Sequence, residues 1–591
     1  MGSFHYDVAI VGASFGGVAA ALAAAGDPAV RVVLLEPTQW VGGQATSQGL
    51  TRWDDADVAH IETFASTKSY RVLRDAIRDW YRQNATLSAY GQSQRYLNPG
   101  FAQAGFPFAA EPQVAQDVIL AQLAALAPRL DLKLGATVTA VDVQNGAVAG
   151  LTVSSNGSTD TYTANVYLDA TDLGDLLPLA GLPWTIGAEA RADTGEPNAP
   201  GQAHPEWIQP ITVPVALERR PAGEDHTLPR PANYDAIVRA QNFRVNDGDI
   251  SGVFDVGPSG GETLWGYRRY IDARNFADPD YANDRSTLNV GSNDYQGAAI
   301  PTGDAQQDAA IVQAARDVSL AFVYWLQTDC PRDNGAGGTG YPNLALRTDA
   351  FGTADGTAPA AYIRESRRID ALTRIVQQDI DPSHLPAGSV RARLFPDSCG
   401  IGWYGIDVHP ANGPGTQWVG FGTLRFQIPL GSLVPKTLGN FLAACKNIGA
   451  THLTSGAYRV HPVEWAIGEA AGLLAAFCTT QRVAAKDVWS DSGRLLSFQY
   501  RLLARGAPIF WWSDVTFDGD RRTFIAAHLT GVRGIFQGDG TTLAFNPTGA
   551  VSASDRAVLD SRVGRALPWP AQAMNRGQTA IWICRQLGLP L

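Results

Sequence analysis

The chain has 591 residues, 45% of them hydrophobic, with a formal net charge of −11 and a pI near 5.3. That is apolar material for a large core divided over about two to four domains, and the acidic balance argues against a general affinity for nucleic acid or anionic lipid. Five cysteines (Cys330, Cys399, Cys445, Cys478, Cys584) occur with no Cys-x-x-Cys spacing, so neither a disulfide framework nor a zinc site is indicated.

Tyr6 to Glu36 reads as an apolar strand, a glycine turn into an alanine-rich helix, and a second apolar strand ending in an acid. Gly12 makes the tight turn, and Gly17 lets the helix pack close to the strand. The helix N-terminus offers free backbone N–H groups to a pyrophosphate. Glu36 stands about 20 residues beyond the glycines, where a carboxylate accepts ribose hydroxyls. Ser14 takes the middle position of Gly-x-Gly-x-x-Gly, and its hydroxyl can itself donate to phosphate. The stretch is a dinucleotide site. It leaves no room for a signal peptide, and no apolar run reads as bilayer-spanning, so a soluble, cytoplasmic protein is expected. Gly42 and Gly43 then form a loop, followed by Gln44, Thr46, Ser47 and Gln48, whose hydrogen-bonding groups suit a polar heteroaromatic ring.

Ile61 to Asn84 has helical spacing and is expected to cap the cofactor domain; Tyr90 to Ala110 reads as loop, and Gln113 to Leu126 as helix. Leu132 to Asp169 is all-β, with segments around Val138–Val143, Val148–Val153 and Thr161–Leu168. Asn145-Gly146 and Asn156-Gly157 predict two type I′ hairpins and hence a three-stranded meander. An apolar strand then leads to Ala170-Thr171 and a loop with Gly174-Asp175.

Pro183 to Pro396 is rich in Pro, Gly, Asp and Asn. Gly335 to Gly340 fits Gly-x-Gly-x-x-Gly, but without a flanking strand and helix it is expected to be a loop. Gly257-Pro-Ser259-Gly-Gly261 fits a nucleophile elbow, with a plain turn the favoured reading. Asp304 to Trp325 is a predicted helix. Arg364, Glu365, Arg367, Arg368 and Arg374 are either a solvated, internally paired face or a site in which an arginine binds a substrate carboxylate. Phe395 to Pro410 is the best stretch for chemistry. Alternation in Ile406-Asp407-Val408-His409 puts Asp407 and His409 on one strand face, beside Tyr404, and histidine is suited to take a proton near neutrality. A structural His–Asp pair is the alternative, with His452 and His461 as competing bases. Asn440 to Cys445 reads as strand and Pro462 to Phe477 as helix, with Gly468, Ala470, Ala471 and Gly472 allowing close approach to the sheet.

Four ordered stretches resemble the FAD-dependent oxidoreductase family related to glutathione reductase and fumarate reductase flavoproteins: GASFGG with Glu36 and VGGQATSQG; YLDATDLGDLLPLAG; YIRESRRI with DVHP; and FLAACKNIGATHLTSGAYRVHPVEWAIGEAAG. They span residues 6–478. The resemblance implies an α/β fold: a Rossmann-like FAD-binding domain with a β-meander (1–185 and 420–485, with 51–110 a cap insertion), an inserted α+β substrate domain (186–419), and a mostly helical appendage (486–591). It places FAD against Gly12, Ser14, Phe15, Gly16, Gly17, Glu36, Pro37, Trp40, Gly42, Gly43, Gln44, Thr46, Val138, Ala170, Thr171, Asn447, Ile448, His452, Arg459 and Ala470. Residues after Val483, from Trp511-Trp512 to Asn575–Ala580, look like one degenerate S-layer-homology-type module, expected to serve packing or oligomerisation.

The expected reaction is hydride removal from a small polar molecule (alcohol, amine or acid) to flavin, with O₂ or another acceptor reoxidising it. Arg364 and Arg368 would bind substrate, His409 would act as base with Asp407 and Tyr404 beside it, and no metal is expected. The partners are a small-molecule substrate and, within what composition allows, a second copy of the chain. Two rivals are a flavin-binding scaffold without catalysis and a serine hydrolase using Ser259.

Overall fold

A computed structural model describes residues 2–245, 250–256, 261–333, 337–411, 416–538 and 541–591. The chain opens with β1 (Ser3–Val11), α1 (Phe15–Ala25) and β2 (Val32–Glu36), followed by β3 (Leu130–Leu134) and the meander β4 (Ala136–Gln144), β5 (Ala147–Ser155) and β6 (Ser158–Asp169). Phe441–Ala443 returns as β7, and α2 (His461–Gln481) follows it. These strands make one seven-stranded sheet in the order β3-β2-β1-β6-β5-β4, with β7 also on β6. β3, β2, β1, β6 and β7 run parallel, whereas β4 to β6 are antiparallel. Both Asn-Gly turns adopt positive φ throughout (51° and 75°, then 49° and 75°), as type I′ hairpins demand. The third meander strand and the strand that returns to the parallel sheet are one continuous strand, β6.

Two buried helices lie against each other over this sheet. A Cβ on Gly468 would run into the Gly16 carbonyl, and one on Gly472 into that of Ala20. The two glycines of α2 therefore serve close approach to α1, because helices approach this closely only where side chains are absent. The predicted helix from Ile61 starts later, at Lys68: the chain turns through Ile61–Ser66, and Thr67 caps the helix by accepting from Tyr70 N at 3.3 Å.

A second body has its own core. Strands Leu344–Leu346, Val215–Arg219, Arg285–Leu288 and Arg269–Ile271 form an antiparallel sheet in that order, and helix Ala305–Thr328 packs Val318, Phe322 and Leu326 into the same cluster as Val215, Leu217 and Leu288. By length and composition that helix is long and apolar enough to cross a membrane, contrary to the sequence reading; its apolar face is buried in protein.

Apolar residues from Ile369 to Leu438 and from Val488 to Cys584 join the core of the first sheet. The C-terminal stretch is thus not a detached module. Ile509 O accepts from Ser398 Oγ (2.7 Å) and Gln427 Nε2 (2.8 Å), and Trp511 Nε1 donates to Phe426 O (2.9 Å), which ties it to strands Ser398–Gly402 and Phe426–Pro429. Of the two glycine motifs, residues 257–260 with Ser259 lie outside the described residues. In the other, Gly340 N donates to Cys330 O (2.8 Å), in a loop after the long helix.

Candidate active site

The cradle is built where β1 meets α1. Gly12 N donates to Leu35 O (2.8 Å), and a Cβ on Gly17 would overlap the Gly12 carbonyl. Ser14 is the helix cap, its Oγ accepting from Gly17 N at 3.1 Å, and Phe15 and Gly16 begin the helix behind it. Glu36 turns back toward the glycine turn: Oε2 accepts from Ala13 N (2.7 Å), and Oε1 from Thr38 N (2.9 Å) and Thr38 Oγ1 (2.7 Å). Burial raises its pKa above the ordinary carboxylate value, against the pull of those hydrogen bonds. Gly42 N donates to Ala13 O (2.7 Å) and Gly43 lies against the backbone of Ser14, so the second glycine loop is stacked on the first. Thr46 Oγ1 closes that loop onto Val41 O (2.6 Å), and Gln44 Nε2 reaches Arg459 O (3.0 Å).

On the far side, Asp169 at the end of β6 is fully buried and accepts from Thr171 N (3.0 Å), Thr171 Oγ1 (2.7 Å) and Leu176 N (3.2 Å); burial pushes its carboxyl up to about 7. Asn447 Nδ2 donates to Asp169 O (3.0 Å). Ala170, Ile448 and Ala470 are buried nearby. Pro37 is exposed, Val138 is half-buried in β4, and the Trp40 ring sits 6.4 Å from that of Phe351.

A separate cavity of about 330 Å³ opens beside the hairpin of Ile406–Val408 and Val419–Phe421, lined by His409 and His452 together with Glu189, Arg191, Glu196 and Trp207. Each imidazole is fixed at Nδ1 by a buried carboxylate. His409 Nδ1 lies 2.6 Å from Asp294 Oδ2, and Asp294 is further held by Arg364 (2.9 Å) and Thr212. His452 Nδ1 lies 3.0 Å from both oxygens of Glu365, which also accepts from Gly187 N (3.0 Å), Gln209 N (3.1 Å) and Arg368 (2.6 Å). Burial opposes ionisation of Glu365, but His452 and Arg368 hold its carboxyl down to about 2. For His409, burial and the Arg364 charge pull the pKa down. Asp294 and Asp407 outweigh them, so the imidazole is raised above its ordinary value.

The expected shared face of Asp407 and His409 is observed, with Asp407 Oδ2 3.5 Å from His409 Nε2. Asp407 also receives Arg459 (3.0 Å) and the Trp418 indole N–H (2.9 Å). Burial would raise its carboxyl, yet His409 and Arg459 hold it far below the usual carboxylate range. The two candidate substrate-binding arginines are instead engaged by protein carboxylates: Arg364 by Asp294, and Arg368 by Glu365 and by Glu189 at 2.8 Å. A guanidinium closed off by buried acids cannot also fork onto a substrate; its role here is to set the acids that set the histidines. Arg459 is similarly committed, to Asp407 and Tyr362. His452, expected at the cofactor, lines this cavity; Tyr404 does not line it.

A family model described as FAD dependent oxidoreductase matches residues 7–501. The chain belongs to the FAD-dependent oxidoreductase family. It is an enzyme of the flavoprotein class, with FAD as its cofactor. No curated protein sequence matches it. Solved structures overlap it slightly: a geranylgeranyl bacteriochlorophyll reductase-like protein of Thermoplasma acidophilum (9% identity, TM-score 0.33, 99% of this chain and 100% of that one) and p-nitrophenol 4-monooxygenase of Pseudomonas putida (11%, 0.33, 92% and 99%). L-proline dehydrogenase of P. horikoshii is matched at 15% identity and a TM-score of 0.17, over 29% of this chain and 23% of that one.

The residues present fit FAD. The glycine turn, the capped start of α1 and Glu36 would hold the adenosine diphosphate half of the dinucleotide. In the stacked loop, Gln44 Oε1 is a buried acceptor without a partner among the described residues, as a donor on a polar ring would require. Three buried acids that hold these groups escaped the sequence reading. Asp294, Glu189 and Glu464 lie far in sequence from what they hold; only Glu464 carried a signal, standing one turn before Gly468 and two before Gly472 on a single helix face.

Proposed function

We propose that this protein oxidises a small polar organic substrate (an alcohol, amine or acid) seated in the cavity of about 330 Å³, with His409 taking the heteroatom proton. The observation that carries this reading is the pair of imidazoles, His409 and His452, facing one cavity and each fixed at Nδ1 by a buried carboxylate. Bound FAD would supply a two-electron acceptor for the hydride of the substrate carbon. Asp294 holds His409 by Nδ1, and Nε2, 3.5 Å from Asp407 Oδ2, exchanges the proton, with Asp407 stabilising the imidazolium that results. O₂ or another acceptor then removes the electrons, in a flavoprotein related to glutathione and fumarate reductases. The cofactor halves are 1–185 and 420–485, the substrate part is 186–419, and the protein works in the cytoplasm, without nucleic acid or membrane partners.

The raised pKa of His409 supports a second reading within the same class. An imidazolium kept to a higher pH than an ordinary histidine can donate its proton to a substrate being reduced. The test is anaerobic mixing of the flavin-loaded protein with a panel of hydroxy and amino compounds, and of the reduced protein with unsaturated acceptors. Bleaching by the first set supports oxidation, and reoxidation by the second supports reduction. Neither response would leave a flavin-binding scaffold.

A further inference from the structure

The N-terminus of α1 already holds an anion of the protein's own. Glu464, on the first turn of α2 and fully buried, accepts from Gly16 N with Oε1 at 2.9 Å. The same oxygen accepts from Cys445 Sγ at 3.2 Å, and Oε2 accepts from Gln44 Nε2. Lys446 Nζ stands 3.5 Å from Oε2 and is also paired with Asp172. A helix start with a glycine turn before it is where a dinucleotide pyrophosphate is received, because its N–H groups and dipole favour negative charge. Here one of those N–H groups is satisfied by a carboxylate from a helix that lies 448 residues along the chain.

We propose that Glu464 competes with the cofactor's pyrophosphate for the start of α1: its carboxylate satisfies Gly16 N, and it must leave that N–H when the dinucleotide enters. The argument has three parts. Without an acceptor, the buried Gly16 N–H would carry a desolvation cost, so a protein whose cofactor departs benefits from a replacement anion. Two anions cannot share that N–H, and a pyrophosphate beside a buried carboxylate would meet like-charge repulsion. Lys446 offers the displaced carboxylate a place to go, since it already lies within ion-pair distance of Oε2 while Asp172 holds it from the other side. Glu464 thereby sets cofactor affinity by competition and links it to the stability of the empty protein.

The test measures binding of three probes to apoprotein by titration calorimetry, and the melting temperature of that apoprotein. ADP reports the pyrophosphate half alone, riboflavin the ring half, and FAD both. In Glu464→Gln, ADP and FAD should bind about fivefold tighter, riboflavin should be unchanged, and the apoprotein should melt lower, since the charge on the helix start is gone. Glu464→Asp, too short to reach Gly16 N yet still able to pair with Lys446, should likewise tighten ADP, and it keeps the test open if the glutamine variant folds poorly. ADP binding that is unchanged or weaker in both variants would overturn the proposal. So would a loss of riboflavin binding alone, which would make Glu464 a contact of the ring half. Failure of the wild-type protein to bind FAD or ADP would instead strike at the cofactor assignment itself.

Discussion

In the cradle, elements meet through residues that have no side chain to interpose: Gly17 against Gly12, Gly16 and Ala20 against Gly468 and Gly472. Around the cavity they meet through buried charge, with Asp294, Glu365 and Glu189 each held by arginine and the first two also by histidine. The first arrangement gives a rigid surface of backbone amides for a large ligand. The second gives two imidazoles whose orientation depends on the whole network. The difference teaches that the two regions should fail differently. Bulk should break the cradle, and loss of charge should break the cavity.

The largest effect is expected from Arg368→Ala, which strips two buried carboxylates of their shared cation. Unfolding free energy should fall by about 3–5 kcal/mol, measured by urea denaturation of the FAD-loaded protein. Gly468→Val comes next, at about 3 kcal/mol, because its side chain overlaps the Gly16 carbonyl and forces α1 and α2 apart; here flavin retention after gel filtration should be lost as well. His409→Ala should leave folding and flavin content intact while slowing anaerobic bleaching about 100-fold, and His452→Ala compared in the same assay shows which imidazole carries the proton. The smallest effect is Gly157→Ala. It places a Cβ at φ 75° in open space, costing about 1 kcal/mol through strain in the hairpin alone, and should change neither flavin content nor rate. A rate loss there with intact stability would blur the distinction between the regions.

The cradle was legible because its determinants are local. Gly12 to Gly17, Glu36 and both Asn-Gly turns declare themselves within a few residues, and period-2 alternation was enough to put Asp407 and His409 together. The cavity was not, because Asp294 sits in the unpatterned run Gly-Ser-Asn-Asp-Tyr and finds His409 across 115 residues. Arg364 and Arg368 show the same limit from the other side: a cluster of arginines reads identically whether it faces a substrate or a set of buried acids, and only the acids' positions decide. The C-terminal stretch, expected to serve packing or oligomerisation, has Trp511 hydrogen-bonded to Phe426 O in the central core, a contact that no local pattern announces.

The most direct test of the account is the pH dependence of anaerobic flavin reduction in the wild type, in His409→Ala and in Asp294→Asn. A base must be neutral to act. With His409 raised above 6.5 by Asp294 and Asp407, the rate should fall as pH drops through that raised value, so the acid limb lies above 6.5. Asp294→Asn should move the limb downward, and His409→Ala should abolish it. A limb that persists unchanged in His409→Ala would contradict the assignment of the proton acceptor.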